Sequence, residues 1–139
     1  MTQTSQQRLI ERIRADLPQI QAIYLYGSTA SGQEHERSDV DLGVLLPHLE
    51  ARKIGSLVLS DTRFALEELT GREVDLVNLR HAPIVLQKEV IAGGIRIYTQ
   101  DGSAVDEYEM LVLSFYGKLN EERAGILEEF ARSKRAYTV

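Results

Sequence analysis

Apolar positions recur along this chain in two rhythms. Between residues 4 and 17, Leu9, Ile10, Ile13 and Leu17 fall at the three- and four-residue steps of one helix face, with Thr4 or Ser5 placed as N-cap and Pro18 closing the run. The rhythm then turns extended over residues 20–26, where Ile23, Tyr24, Leu25 and Tyr26 form a strand-like run, and it breaks at Gly27-Ser28. A short helix from Ser28 to Gly32 follows, then a polar link, then a second extended run over residues 40–46. Helical spacing returns over residues 49–69 through Ile54, Leu57, Val58, Ala65, Leu66 and Leu69, which predicts one amphipathic helix stopped by Gly71, with Gly55-Ser56 as a kink or a late start.

Residues 73–79 predict a third strand in which Val74 and Leu76 share one face and Asp75 and Val77 the other. Pro83 stands at the first turn of a helix that runs to Val90 or Ile91 and ends at Gly93-Gly94. Residues 95–99 alternate as a fourth strand, closed by Asp101-Gly102. Ser103 with Asp106 resembles a capping box with Asp in place of Glu. Beyond it, Val105, Tyr108, Val112, Phe115, Leu119, Ile126 and Phe130 trace one stripe of a long C-terminal helix, residues 103–132.

This order of strands and helices predicts the α/β (α+β) class: a small mixed sheet flanked by helices on at least one face. With 139 residues the chain reads as one domain, residues 1–139. Leu111, Leu113 and Phe115 make the last helix more apolar than a small sheet can use. Such a helix either packs wholly into the core or buries its second side against a partner or a second copy.

A hydrophobic fraction of 43% with 27% charged residues is that of a folded globular chain. With 16 Lys and Arg against 21 Asp and Glu, the net charge of −5 provides no electrostatic footprint for nucleic acid, so direct nucleic-acid binding is not expected. The absence of cysteine excludes disulfides and thiolate metal sites. The N-terminal residues carry scattered charges and no signal-like apolar core, and no window approaches a membrane span, so the expected location is cytoplasmic.

Chemistry concentrates in residues 20–46. Asp39 and Asp41 stand two apart at the head of the second strand, so both point to one face while Val40 and Leu42 point to the other. Paired carboxylates repel unless a cation lies between them, and hard oxygen ligands of this kind suit Mg²⁺ carrying a phosphate substrate. Gly27 permits close backbone approach, and Ser28 offers a hydroxyl and an N–H at a helix start, which together suit a phosphate cradle. The Walker lysine of a P-loop is missing from residues 27–33. Arg37 lies two residues before Asp39, placed to touch a phosphate or pair with a carboxylate. Arg80, after the third strand, is a further candidate anion contact, and His35 reads as a loop residue without ligand-spaced companions. By position alone, Asp75 is either a strand-end acid facing water or a third site carboxylate.

Gly27-Ser28, ten residues, then Asp39-x-Asp41 resembles the signature of the DNA polymerase β-like nucleotidyltransferase superfamily. The short length is similar to the minimal nucleotidyltransferases, the MNT antitoxins of HEPN toxins. The resemblance covers mainly residues 20–80. It implies a catalytic set of Asp39, Asp41 and Asp75, with Asp75 as the third metal-binding carboxylate and the base. Gly27, Ser28 and Arg37 are implied in nucleotide binding, with ATP as substrate and two Mg²⁺ ions as cofactor. The implied function is transfer of AMP to a tyrosine hydroxyl of a cognate HEPN toxin in a hetero-oligomer. Transfer to an aminoglycoside hydroxyl, or masking of the toxin by binding alone, are the competing uses of such a domain.

Overall fold

The computed structural model describes residues 1–32 and 39–136. Helix α1 (Gln3–Asp16) starts earlier than the spacing suggested, because the Thr2 side chain, and not Thr4 or Ser5, accepts the Ser5 N–H at 3.1 Å. Four strands, β1 (Ala22–Tyr26), β2 (Val40–Leu45), β3 (Val74–Asn78) and β4 (Ile95–Thr99), make one mixed sheet in the order β3-β2-β1-β4. β1 runs antiparallel to β2 and to β4, whereas β2 and β3 are parallel.

A parallel pair cannot be joined by a tight hairpin and needs a crossover connection. The region predicted as one helix over residues 49–69 supplies it as two, α3 (His48–Ile54) and α4 (Asp61–Thr70). Gly55 ends α3 at φ +64° and ψ −137°, a conformation that L side chains rarely adopt, and Ser60 then caps α4 by accepting the Arg63 N–H at 3.2 Å. The buried Asn78 Nδ2 donates to the Ala51 and Gly55 carbonyls at 2.9 Å each, which pins the end of α3 to β3. The break releases Val58, counted on the predicted apolar face, into solvent, while Leu57 and Leu66 stay buried.

Strand alternation then builds two cores. Ile23, Leu25, Val40, Leu42, Val44, Val74 and Leu76 meet α1 and the crossover helices on one face. On the other, Ala22, Tyr24 and Leu45 meet Val90 of α5 (Ile84–Gly93) and Val105, Tyr108 and Val112 of α6 (Gly102–Ala136). Helices thus cover both faces, with the four-residue helix α2 (Ser28–Ser31) following β1.

The start of α6 differs from the predicted capping box. Asp101 accepts the Ser103 and Ala104 N–H groups at 3.1 and 3.3 Å, and Asp106 pairs with Arg96 at 2.7 Å. Arg96 also pairs with Glu109, which accepts the Tyr24 hydroxyl at 2.7 Å, so a charged knot fastens α6 to β1 and β4. The helix is 35 residues long, on the order of 52 Å at 1.5 Å per residue. Among the described residues its predicted stripe is buried at Val105, Tyr108 and Val112, Leu119 is half-buried, and Phe115, Ile126 and Phe130 are exposed, so the helix is fully buried only over its first third. Among the described residues no helix is long and apolar enough to cross a membrane.

Candidate active site

Val40 and Leu42 are fully buried in the core beneath α1, and this fixes Asp41 between them on the opposite face. The same parity holds in β3, where Val74 and Leu76 are buried and Asp75 is not. Parallel pairing sets Asp41 directly beside Asp75, and antiparallel pairing sets Tyr26 opposite Asp41. Tyr26, Asp41 and Asp75 therefore form a row across three strands. The Tyr26 hydroxyl reaches along that row and donates to Asp75 Oδ2 at 3.4 Å, a long hydrogen bond.

Electrostatics place Asp39 in the same group. Burial, followed by the charges of Asp75 and then Asp39, pushes the Asp41 carboxyl above the usual carboxylate range. Burial also pushes up the Tyr26 phenol, reinforced by the Asp75 and Asp41 charges and by the hydrogen bond to Asp75. The charges of Asp75 and Asp39 both bear on Asp41, and a cation would relieve that repulsion. Among the described residues no three acidic, His or Cys side chains stand close enough to form a ready-made metal cage. The donor set is an open one, and it fits Mg²⁺, which typically binds through one or two carboxylates and completes its shell with substrate phosphates and water.

Gly27 lies directly against this group at φ +71° and ψ −150°, where any added Cβ would run into the Asp41 carboxylate. The close approach that a glycine permits is thus made to Asp41, and the Ser28 backbone opens α2 just beyond it. Gly27→Ala combines the wrong backbone basin with that collision. It is expected to cost on the order of 1–3 kcal/mol of stability and, by displacing Asp41, to weaken any binding of added Mg²⁺ at the carboxylates. Denaturant unfolding and calorimetric titration check the two effects separately; wild-type values in both would remove the steric role assigned to Gly27.

Arg37 and His35 lie outside the described residues. Arg80 does not join the site: it follows the far end of β3 in a 3-10 turn (Leu79–His81), where it donates to the Leu46 carbonyl at 2.6 Å. Tyr26 was missed by sequence reasoning. Its signal was available in the parity that places residue 26 just before the Gly27-Ser28 turn, but the partner strand and register were not.

Residues 8–103 match the model of the family described as polymerase beta, nucleotidyltransferase. The chain belongs to this nucleotidyltransferase family. A protein adenylyltransferase MntA of Shewanella oneidensis is 30% identical over 131 residues, covering 93% of this chain and 89% of the relative. A protein adenylyltransferase MntA of Aphanizomenon flos-aquae is 22% identical over 108 residues, 73% of this chain and 72% of that one. Among solved structures, the crystal structure of a toxin-antitoxin with AMP-PNP has a TM-score of 0.72 at 26% identity, covering 91% of this chain and 98% of that chain. The likeness to this nucleotidyltransferase family spans α1 from Arg8 onward, the whole sheet and the first residues of α6.

Proposed function

We propose that this nucleotidyltransferase is a cytoplasmic antitoxin that transfers AMP from ATP to a tyrosine hydroxyl of a cognate HEPN ribonuclease toxin and so neutralises it. The observation that carries the reading is the register that sets Asp41 beside Asp75, with Gly27 directly against Asp41. It is supported by the relatives named protein adenylyltransferase and by the similar toxin-antitoxin structure with AMP-PNP.

In this reading Asp39, Asp41 and Asp75 would hold Mg²⁺, which would supply charge neutralisation at the transferring phosphoryl group. Ser28 offers its N–H and hydroxyl to the phosphates. Asp75 accepts the proton of the attacking tyrosine hydroxyl. The new bond forms between that oxygen and the α-phosphorus, and the bond from the α-phosphorus to the bridging oxygen breaks, so pyrophosphate leaves with the electron pair. Tyr26 positions Asp75 by donating to Oδ2, which leaves the other carboxylate oxygen for the acceptor.

The test incubates the purified protein with Mg²⁺, labelled ATP and a candidate cognate HEPN protein. Label on a HEPN tyrosine together with loss of ribonuclease activity is the expected result. Label on aminoglycosides with none on the HEPN protein would establish the small-molecule reading instead. Neutralisation that needs no ATP would reduce the chain to a binding antitoxin.

A further inference from the structure

Arg80 is a half-buried guanidinium held in place by neutral acceptors. Its Nε donates to the Leu46 carbonyl at 2.6 Å, its Nη2 to Gln21 Oε1 at 3.3 Å, and its Nη1 to His48 Nε2 at 3.0 Å, while the guanidinium lies 5.0 Å from the centre of the Tyr108 ring. Arg12, Arg63 and Arg96 all pair with carboxylates. Among the described residues no carboxylate pairs with Arg80, although acids outnumber bases in the chain. Arg52 and His81 line the same recess, and the Arg52 guanidinium adds to its positive charge.

Arg80 and His48 also form one end of a groove whose walls are apolar, made of Ile84, Leu111, Val112 and Phe115. Leu111 and Phe115 are 57% and 58% exposed, on the part of α6 that leaves the core. Basic recess and apolar groove are continuous through the shared His48 and Arg80. They lie past the C-terminal ends of β2 and β3, whereas Asp41 and Asp75 lie near the starts of those strands. At 3.3 Å per residue the two places are about 17 Å apart along the sheet.

We infer that this groove docks the protein acceptor through a segment that carries a carboxylate beside apolar side chains. The inference rests on the proposed function for the identity of that acceptor. The carboxylate pairs with Arg80, whose planar fork is already oriented by its three acceptors, and the neighbouring apolar side chains cover Leu111 and Phe115. Charge complementarity selects an acidic segment, and the apolar walls favour a protein over a phosphate backbone. Anchoring at this distance holds the partner while leaving the carboxylate row open to its tyrosine.

The test uses Phe115→Glu and Arg52→Glu, both at exposed positions, with thermal melting to verify the fold. Each variant is expected to weaken binding of the HEPN protein about tenfold or more, to lower kcat/KM for AMP transfer in parallel, and to leave Mg²⁺-dependent AMP-PNP binding unchanged. Raising ionic strength should weaken wild-type binding more than binding by Arg52→Glu, because only the wild type keeps that attraction. Wild-type affinity for the HEPN protein in both variants overturns the groove while leaving the adenylyltransferase reading intact. Groove-dependent binding without AMP transfer does the reverse. A groove that instead captures an RNA oligonucleotide, or a second copy of this chain in sedimentation, overturns the stated occupant, and failure of the wild type to bind the HEPN protein overturns both readings.

Discussion

Asp41→Asn is expected to abolish AMP transfer while leaving the metal-free protein at least as stable as the wild type. In the proposed reaction this carboxylate would hold the Mg²⁺ that neutralises charge at the transferring phosphoryl group, and its loss should raise the barrier by several kcal/mol, about tenfold in rate for each 1.36 kcal/mol. Stability moves the other way. In the fold, burial and the Asp75 and Asp39 charges hold Asp41 above its ordinary value of 3.8. The folded chain therefore binds more protons than the unfolded chain in the window just above 3.8, and stability falls as pH rises through that window. At neutral pH the ionised group is a local source of repulsion that asparagine removes. Melting curves should show the wild type gaining stability relative to Asp41→Asn on acidification into that window. Mg²⁺ should raise the melting temperature of the wild type more than that of the variant. Transfer at the wild-type rate by Asp41→Asn would sink the assignment of this carboxylate to the chemistry.

Asp75→Asn should lower turnover by about 10²–10⁴, the usual contribution of a positioned general base, with a much smaller change in AMP-PNP affinity. Asparagine keeps the shape and the acceptor oxygen facing Tyr26 but cannot take the proton of the attacking hydroxyl. Tyr26→Phe serves as the companion variant. It removes only a long hydrogen bond of 3.4 Å to Asp75 and should reduce turnover far less than Asp75→Asn does. Single-turnover measurements with the acceptor protein, set beside nucleotide titrations, separate the alternatives. Equal losses in turnover and nucleotide affinity would make Asp75 a metal ligand without a role as base, and unchanged turnover would leave it a surface acid.

Strand parity was the strongest information in the sequence. Val40 and Leu42 alternate with Asp39 and Asp41, and Val74 and Leu76 with Asp75, so each acid's face follows from its immediate neighbours. The Gly27-Ser28 turn and the stop at Gly71 were equally local, since glycine marks backbone that other residues resist. What parity leaves open is which strands are neighbours. The parallel β2–β3 register that brings Asp41 beside Asp75, and the antiparallel one that adds Tyr26, join segments far apart in the chain through shared burial. Helix limits shifted for a similar reason: Ser60 and Asp101 won the caps, and Gly55 divided a stretch whose apolar spacing read as continuous.

Arg80 and α6 illustrate the remainder. Alone, an arginine after a strand is an anion contact without an address, and an apolar stripe does not state how far its cover extends. The sequence by itself determined which residues could carry charge, turn the chain or enter a core. Only the tertiary structure decided that Arg80 lies at the opposite end of the strands from the carboxylates and that, among the described residues, α6 is fully buried no further than Val112. The physical reason is that alternation and capping depend on residues a few positions apart, whereas burial, register and charge pairing depend on surfaces assembled from the whole chain.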